Sequence, residues 1–224
     1  MTKRIKLADR VLPTYTVGEE ITNTATHMLG LVGGILALIL CVRKANDLYG
    51  PTEIAAAAIY GSCLMLLYSA SSLYHAMKPS MTKKVLQIID HCAIYFLIAG
   101  SYTVVSLGAI RRADPVLGWG MFAAEWILAA IATVLTAIDL KAYRAFSMVC
   151  YIGMGWGILP FFRQVYAILS PVGFYLLLAG GIAYTIGAVL YGIGSKVRWM
   201  HSVFHIFVVI GSVLHFFAFY FYGI

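Results

Sequence analysis

Residues 199–222, near the end of the chain, read WMHSVFHIFVVIGSVLHFFAFYFY. This stretch contains no Asp, Glu, Lys or Arg, and it is long enough to cross the hydrocarbon core of a bilayer as a helix. His201 and His205 stand four positions apart, so a helix places both imidazoles on one face, one turn apart. Such a pair can direct two nitrogens at one metal ion, but zinc takes three or four ligands. The stretch therefore predicts a membrane helix that carries part of a metal site.

The composition of the whole chain is that of a membrane protein. Of its 224 residues, 62% are hydrophobic and only 11% are charged, whereas a soluble domain carries about 25% charged residues. The formal net charge is +7. The Lys and Arg residues are scattered between apolar runs, so they are better explained as topology signals than as a nucleic-acid surface. We expect no nucleic-acid partner.

The apolar runs predict an all-α membrane protein built as a bundle of seven transmembrane helices. The predicted spans are residues 22–42, 54–76, 85–108, 116–138, 145–162, 171–193 and 199–222. Residues 1–21 are polar and partly amphipathic, so we expect a cytoplasmic segment at the membrane surface. Residues 22–224 then form one seven-helix domain with short loops. Gly30 and Gly34 form a G-x-x-x-G pattern in the first span, which favours close helix packing.

The distribution of Lys and Arg predicts the orientation of this bundle. With seven spans and the N-terminus inside, eleven of the 16 Lys and Arg residues fall on the inner side. The positive-inside rule therefore predicts a cytoplasmic N-terminus and an external C-terminus, in a multi-pass membrane protein.

This orientation brings polar residues from three spans to one depth. His75 ends the second span, Asp90 lies in the first turns of the third, and His201 and His205 begin the seventh. Ionisable residues within spans usually face the bundle interior. We predict that the three histidines bind one zinc ion and leave one coordination position open. Asp90 could then hold a water there or orient a ligand, and Ser71, one turn before His75, could bind that water or a substrate carbonyl.

Each of these residues also has a structural explanation. A single histidine in a membrane helix often only hydrogen-bonds a neighbouring helix. Asp90 could be the structural partner of a histidine. Ser71 could bond the carbonyl four residues before it, as serine commonly does in membrane helices. His27, near the cytoplasmic end of the first span, is a candidate for an additional site or for supporting the metal ligands.

Three separated motifs resemble one known family. They are SSLYH at 71–75, DHCAIYFLIAGSYT at 90–103 and HSVFHIFVVIGSVLH at 201–215. In this order they are similar to the hemolysin III family of bacterial membrane proteins. That family belongs with the progestin and adipoQ receptors and, more remotely, with the alkaline ceramidases. An E-x-x-x-N-x-x-x-H element, formed by Glu19, Asn23 and His27, extends the resemblance over essentially the whole chain.

The resemblance implies a seven-helix bundle with a cytoplasmic N-terminus and a zinc ion inside the membrane. It implies that His75, His201 and His205 hold the zinc, that Asp90 contacts the water on it, and that Ser71 is the serine of the S-x-x-x-H motif. Glu19, Asn23 and His27 are additional candidates for supporting this site.

Three functions are compatible with this site. The first is a zinc-dependent lipid amide or ester hydrolase of ceramidase type, or a lipid sensor, in membrane homeostasis; its partner would be a membrane lipid. The second is a pore-forming cytolysin, as the family name suggests. It would need a homo-oligomer or a polar helix face across the membrane, and the outer half offers little beyond His215, Glu125 and tyrosines. The third is a receptor-like protein with a purely structural zinc, although its loops are too short for a ligand-binding ectodomain.

Overall fold

A computed structural model describes residues 6–194 and 196–224. Within these ranges the chain is helical almost throughout and contains no strand, which confirms the all-α prediction. The helices are α1 (Val17–Leu48), α2 (Pro51–Ala76), α3 (Met81–Val105), α4 (Pro115–Ile138), α5 (Arg144–Gly155), α6 (Phe162–Gly194) and α7 (Met200–Ala218). A π-helical turn (Ser106–Ile110) and a short helical turn (Arg111–Ala113) extend α3, and a second π-helical turn (Phe219–Gly223) extends α7.

Six helical segments of the described chain are long and apolar enough to cross a membrane. Five of them coincide with single predicted spans. The remaining segment, Arg144–Gly194, is 51 residues long and contains both predicted spans 145–162 and 171–193. The structure therefore confirms a polytopic helical membrane protein, whereas helix length alone does not confirm seven crossings.

The segment Arg144–Gly194 is broken twice. The helix α5 ends at Gly155, earlier than the predicted end at residue 162, and a 3-10 turn follows at Leu159–Phe161. Within α6, Ser170 has φ 63° and ψ 163° immediately before Pro171. The residue before a proline is disfavoured in the helical region, and a positive φ with an extended ψ is rare outside glycine, so Ser170 interrupts the helix. These breaks let the chain turn back on itself.

Contacts between α5 and α6 show that the two helices are antiparallel. The indole nitrogen of Trp156, just after α5, donates a hydrogen bond to Thr185 Oγ1 at 3.0 Å. At the other end, the guanidinium of Arg144 lies 5.9 Å from the ring centroid of Tyr191. The beginning of α5 therefore lies beside the end of α6.

The start of α1 is set by a capping box. Thr16 Oγ1 accepts from the backbone N–H of Glu19 at 3.2 Å, and Glu19 Oε2 accepts from the backbone N–H of Thr16 at 2.8 Å. This reciprocal pair satisfies two backbone donors that a helix start leaves free. As a result α1 begins at Val17, before the predicted start of the first span at residue 22.

The predicted G-x-x-x-G packing is present between α1 and α2. A Cβ at Gly30 would clash with the ring of Tyr68, and a Cβ at Gly34 would lie 3.2 Å from the Cβ of Leu64. At Gly33, on another face of α1, a Cβ would meet nothing within 4 Å. The two glycines of the pattern thus allow α2 to approach α1 closely.

The central element of the bundle is α3. In its most apolar window 83% of residues are buried, against 17–56% in the other five segments. The cytoplasmic halves predicted for α1, α2, α3 and α7 surround the polar residues described next.

Candidate metal centre

Three buried histidines meet where α2 ends and α7 begins. His75 lies in the last turn of α2, and His201 and His205 occupy the first two turns of α7. The Nε2 atom of His201 is 3.4 Å from Nε2 of His75 and 3.1 Å from Nε2 of His205. One nitrogen from each ring lies within 4.8 Å of the others, so the group could hold a metal ion.

The chemistry of these nitrogens fits a zinc ion. Two nitrogens bound to a tetrahedral zinc at 2.0–2.1 Å are about 3.4 Å apart, which is close to the two short separations. His75 directs Nδ1 at the Glu20 carboxylate, with Nδ1 and Oε2 2.6 Å apart. Because the carboxylate accepts the Nδ1 proton, Nε2 of His75 keeps a free lone pair. Without a metal, a proton on Nε2 of His201 can form a hydrogen bond to Nε2 of His75 or to Nε2 of His205, but not to both. A cation between the three rings would be bound by the lone pair of each of the three Nε2 atoms.

The first turn of α7 is held by α1. Trp199, which precedes α7, has φ 69° and ψ −15°, a left-handed conformation that is uncommon for a bulky residue. Its backbone N–H donates to Glu19 Oε1 at 2.7 Å. The structure therefore places Glu19 at the joint between α1 and α7, where it orients the turn that carries His201.

Two further residues of α1 lie against the histidines. The side-chain nitrogen of Asn23 is 3.3 Å from Nδ1 of His75. The ring of His27 stacks on the ring of His205, with centroids 3.8 Å apart and planes inclined by 21°. Both nitrogens of His27 are buried and have no hydrogen-bond partner within the described part of the chain. The candidates Asn23 and His27 thus adjoin different histidines of the cluster.

Asp90 and Ser71 face a cavity of about 160 Å³ that also reaches His27, His201 and His205. Asp90 lies near enough to Ser71 and His75 to interact with both. However, the Ser71 hydroxyl, on a residue that is 1% exposed, does not form a hydrogen bond of normal geometry to any residue that the structure describes. The Asp90 Oδ2 atom is 3.9 Å from Nδ1 of His91. The structure therefore brings the side chains of Asp90 and Ser71 to the same cavity as His201 and His205.

The cavity extends away from the histidines between apolar side chains. It passes Leu97, Val105 and Phe174 and reaches His215 and Phe219. His215 lies ten residues beyond His205 on the same helix, which corresponds to about 15 Å. His215 Nε2 is 3.1 Å from the carbonyl oxygen of Leu177, so this histidine belongs to the far end of the cavity and not to the cluster.

An aromatic ring covers the cluster on the side of the N-terminal segment. Tyr15 stacks on His201 and also adjoins His75. Burial is the main reason why the pKa of the Tyr15 hydroxyl lies above its usual value, and nearby groups that include Asp90 and Glu20 raise the pKa further. The hydroxyl therefore stays neutral at physiological pH.

Tyr15 and Glu20 are not among the site residues predicted from the sequence. A signal for Glu20 was available, since Glu20, Asn23 and His27 are spaced three and four apart and so share one helix face. Tyr15 precedes the helix, where no periodicity applies.

Comparison with known proteins gives the family. Residues 15–216 match the family described as Haemolysin-III related. The chain is 38% identical over 209 residues to Hemolysin-3 of Bacillus cereus, covering 93% of this chain and 94% of that protein. It is 37% identical over 208 residues to the Hemolysin-3 homolog of Bacillus subtilis (strain 168), covering 93% and 96%. It is 26% identical over 226 residues to the Monocyte to macrophage differentiation factor of Homo sapiens, covering 97% and 89%.

These matches confirm the resemblance that the three sequence motifs suggested. Together with the six apolar helices, the bacterial relatives indicate a multi-pass protein of the bacterial plasma membrane. The chain belongs to the haemolysin-III related family.

Proposed function

We propose that this protein is a zinc-dependent hydrolase that cleaves an amide or ester bond of a membrane lipid. The observation that carries the proposal is that His201 and His205 line the same apolar cavity as Asp90 and Ser71. A zinc ion that only joins two helices needs neither an adjoining cavity nor a carboxylate within it. A cavity with polar groups at one end and apolar walls beyond fits an amphiphile.

The proposed chemistry divides between the metal and the side chains. His75, His201 and His205 would hold the zinc ion, which would lower the pKa of a bound water to about 7 and polarise a carbonyl. Asp90 would accept a proton from the attacking water and pass it to the leaving amine or alcohol as the amide or ester bond breaks. The Ser71 hydroxyl would donate a hydrogen bond to the substrate carbonyl. The apolar walls at Leu97, Val105 and Phe174 would hold the acyl chain.

We also propose that the chain crosses the membrane seven times, with a cytoplasmic N-terminus and an external C-terminus. The segment Arg144–Gly194 has 51 residues, so a continuous helix would be about 77 Å long, more than twice the roughly 30 Å hydrocarbon core. Its two breaks and the contact of Arg144 with Tyr191 support two crossings. This arrangement would put the histidines in the inner leaflet, where a lipid could enter between helices.

Two relatives carry the name Hemolysin-3 or Hemolysin-3 homolog. The alternative function that these names suggest is a membrane pore. A water-filled pore requires polar groups along its length. The cavity here is lined mainly by apolar side chains between the histidine cluster and His215. We therefore favour a lipid-binding cavity over a pore formed by a single chain.

The proposal is tested with protein purified in detergent. Zinc should copurify at about one ion per chain, and His75→Ala, His201→Ala and His205→Ala should each lower its content, whereas the matched variant His215→Ala should not. The parent is then incubated with a ceramide and a phosphatidylcholine that carry the same fluorescent acyl chain, and release of the free acid is measured before and after chelation. Equal zinc content in the parent and in a variant lacking all three histidines would refute the metal site. Chelation that leaves acid release unchanged would refute zinc-dependent hydrolysis.

A further inference from the structure

We infer that Glu20 is a positioning residue for the metal site, which fixes the ring orientation and the tautomer of His75. The inference rests on the zinc site proposed above and adds a residue that neither the sequence motifs nor the family comparison assigns. It concerns zinc affinity, which can be measured without a substrate.

The contact between Glu20 and His75 is short and joins two helices. Glu20 Oε2 lies 2.6 Å from Nδ1 of His75, and the His75 side chain is fully buried. A carboxylate that accepts the Nδ1 proton leaves Nε2 as the only lone pair of the ring. That lone pair points at His201. Such a carboxylate also makes the imidazole a stronger ligand and restrains its rotation.

The other oxygen of Glu20 is held by Lys83. Lys83 Nζ donates to Glu20 Oε1 and, at 2.8 Å, to the carbonyl oxygen of Met77, and its side chain is only 4% exposed. A buried lysine requires a counter-charge, and Glu20 supplies it. With one oxygen on Lys83 and the other on His75, the carboxylate cannot turn away from the ring.

Neighbouring residues do not replace this role. Asn23 lies 3.3 Å from the same nitrogen, which is longer than the contact to Glu20, and it carries no charge. Glu19 is occupied by Thr16 and by the backbone of Trp199. Glu20 is therefore the carboxylate that the described structure assigns to His75.

The Glu20–Lys83 pair also joins α1 to α3, so a loss of zinc binding in a Glu20 variant could reflect lost stability rather than lost positioning of His75. Glu53 provides the matched control. Glu53 is a buried carboxylate of α2, and it forms ion pairs with Arg111 at 2.7 Å and Arg112 at 3.4 Å beyond the other end of α3. Glu53→Gln removes a comparable ion pair far from His75.

The experiment measures the dissociation constant for zinc by competition with a chelator, the visible absorption spectrum of the cobalt(II) form, and thermal unfolding of the metal-free protein. Glu20→Gln should weaken zinc binding about 10–100-fold and change the cobalt spectrum. Lys83→Met should weaken binding less, because the carboxylate stays but is no longer held. Glu53→Gln should lower the unfolding temperature and leave affinity and spectrum unchanged.

The outcomes distinguish this inference from the proposed function. If the parent binds zinc and folded Glu20→Gln binds it equally well with the same cobalt spectrum, Glu20 does not position His75 and the zinc site stands. If the parent itself binds no zinc, the proposed function fails and this inference fails with it. Should Glu20→Gln not fold, Glu20→Asp and Lys83→Met decide the question, and parental affinity in both overturns the inference.

Discussion

The ring of Tyr15 stacks on the ring of His201, with centroids 4.9 Å apart and planes inclined by 22°. The same ring lies 5.6 Å from the ring of His75. The segment that carries Tyr15 is fastened at two further points: Lys84 Nζ donates to the carbonyl of Ala8, and Arg10 donates to the carbonyl of Ile138 at 3.4 Å. The described part of the N-terminal segment thus lies over the histidine cluster.

We therefore expect Tyr15→Ala to expose the metal. A hydrophilic chelator should remove zinc from this variant several-fold faster than from the parent, because the aromatic cover is gone while all three histidines remain. The rate is measured by stopped-flow with a chromogenic chelator in detergent. Tyr175→Ala, at an exposed position of α6, is the control and should behave as the parent. Equal rates in all three proteins would show that the N-terminal segment does not limit access.

The close packing of α1 on α2 gives a prediction about stability. Gly30→Ala pushes a methyl group into the ring of Tyr68 and should destabilise the protein by about 1–3 kcal/mol, the usual cost of overpacking. Gly34→Ala should lower the free energy of unfolding by less, because the nearest atom, the Cβ of Leu64, is 3.2 Å from the new Cβ and can shift slightly. The measurement is reversible unfolding in mixed detergent.

Gly33→Ala is the matched control on the same helix. Its new methyl group meets nothing within 4 Å, and alanine is the better helix former by about 1 kcal/mol in water, so this variant should be neutral or slightly more stable. A Gly30→Ala protein as stable as Gly33→Ala would mean that α1 and α2 are not packed as described.

Much of the site could be predicted from the sequence because it depends on helix periodicity. The spacing of His201 and His205 and the position of His75 at the end of an apolar run are local signals. Local sequence signals do not show which of the two adjacent glutamates, Glu19 or Glu20, contacts His75. Asn23 is three positions from Glu20 and four from Glu19, so both carboxylates share a face with it. Which one meets His75 is decided by where α2 and α3 place His75 and Lys83.

The breaks in the segment Arg144–Gly194 illustrate the same limit. Gly155 and Pro171 mark weak points that the sequence shows. The sequence does not show that α5 already ends at Gly155, or that residues 162–169 are helical before the break at Ser170. Those boundaries depend on tertiary contacts such as the hydrogen bond from Trp156 to Thr185.

The number of crossings is predicted to be seven, and the segment Arg144–Gly194 is the place to test it. Reporter fusions inserted after Lys141 and after Lys196 should lie on the same side, in the cytoplasm, because a segment that crosses twice returns to where it began. Fusions at the N-terminus and the C-terminus should lie on opposite sides. Paired phosphatase and fluorescent-protein reporters measure this. Fusions after Lys141 and Lys196 on opposite sides would mean a single crossing and six spans in all.

The last prediction separates catalysis from a purely structural metal. If the metal only joins α2 to α7, Asp90→Asn should have little effect on zinc content or stability, since the three histidines still hold the ion. If the site hydrolyses a lipid, Asp90 must accept a proton from the attacking water. An ionised carboxylate can do so and an amide cannot, and such general-base contributions are about 10²–10⁴-fold.

Asn keeps the shape of Asp and can still accept a hydrogen bond, so folding and zinc content should largely survive in Asp90→Asn. We expect a zinc-loaded protein whose release of acid from fluorescent ceramide falls by about 10²-fold or more. Ser71→Ala should show a smaller loss, because it removes one hydrogen bond to the substrate carbonyl and no proton acceptor. Zinc content, unfolding temperature and acid release are measured on the same preparations. An Asp90→Asn protein that is zinc-loaded and as active as the parent would rule out Asp90 as the base. If neither protein releases acid above the rate of chelated controls, hydrolysis of this ceramide is refuted.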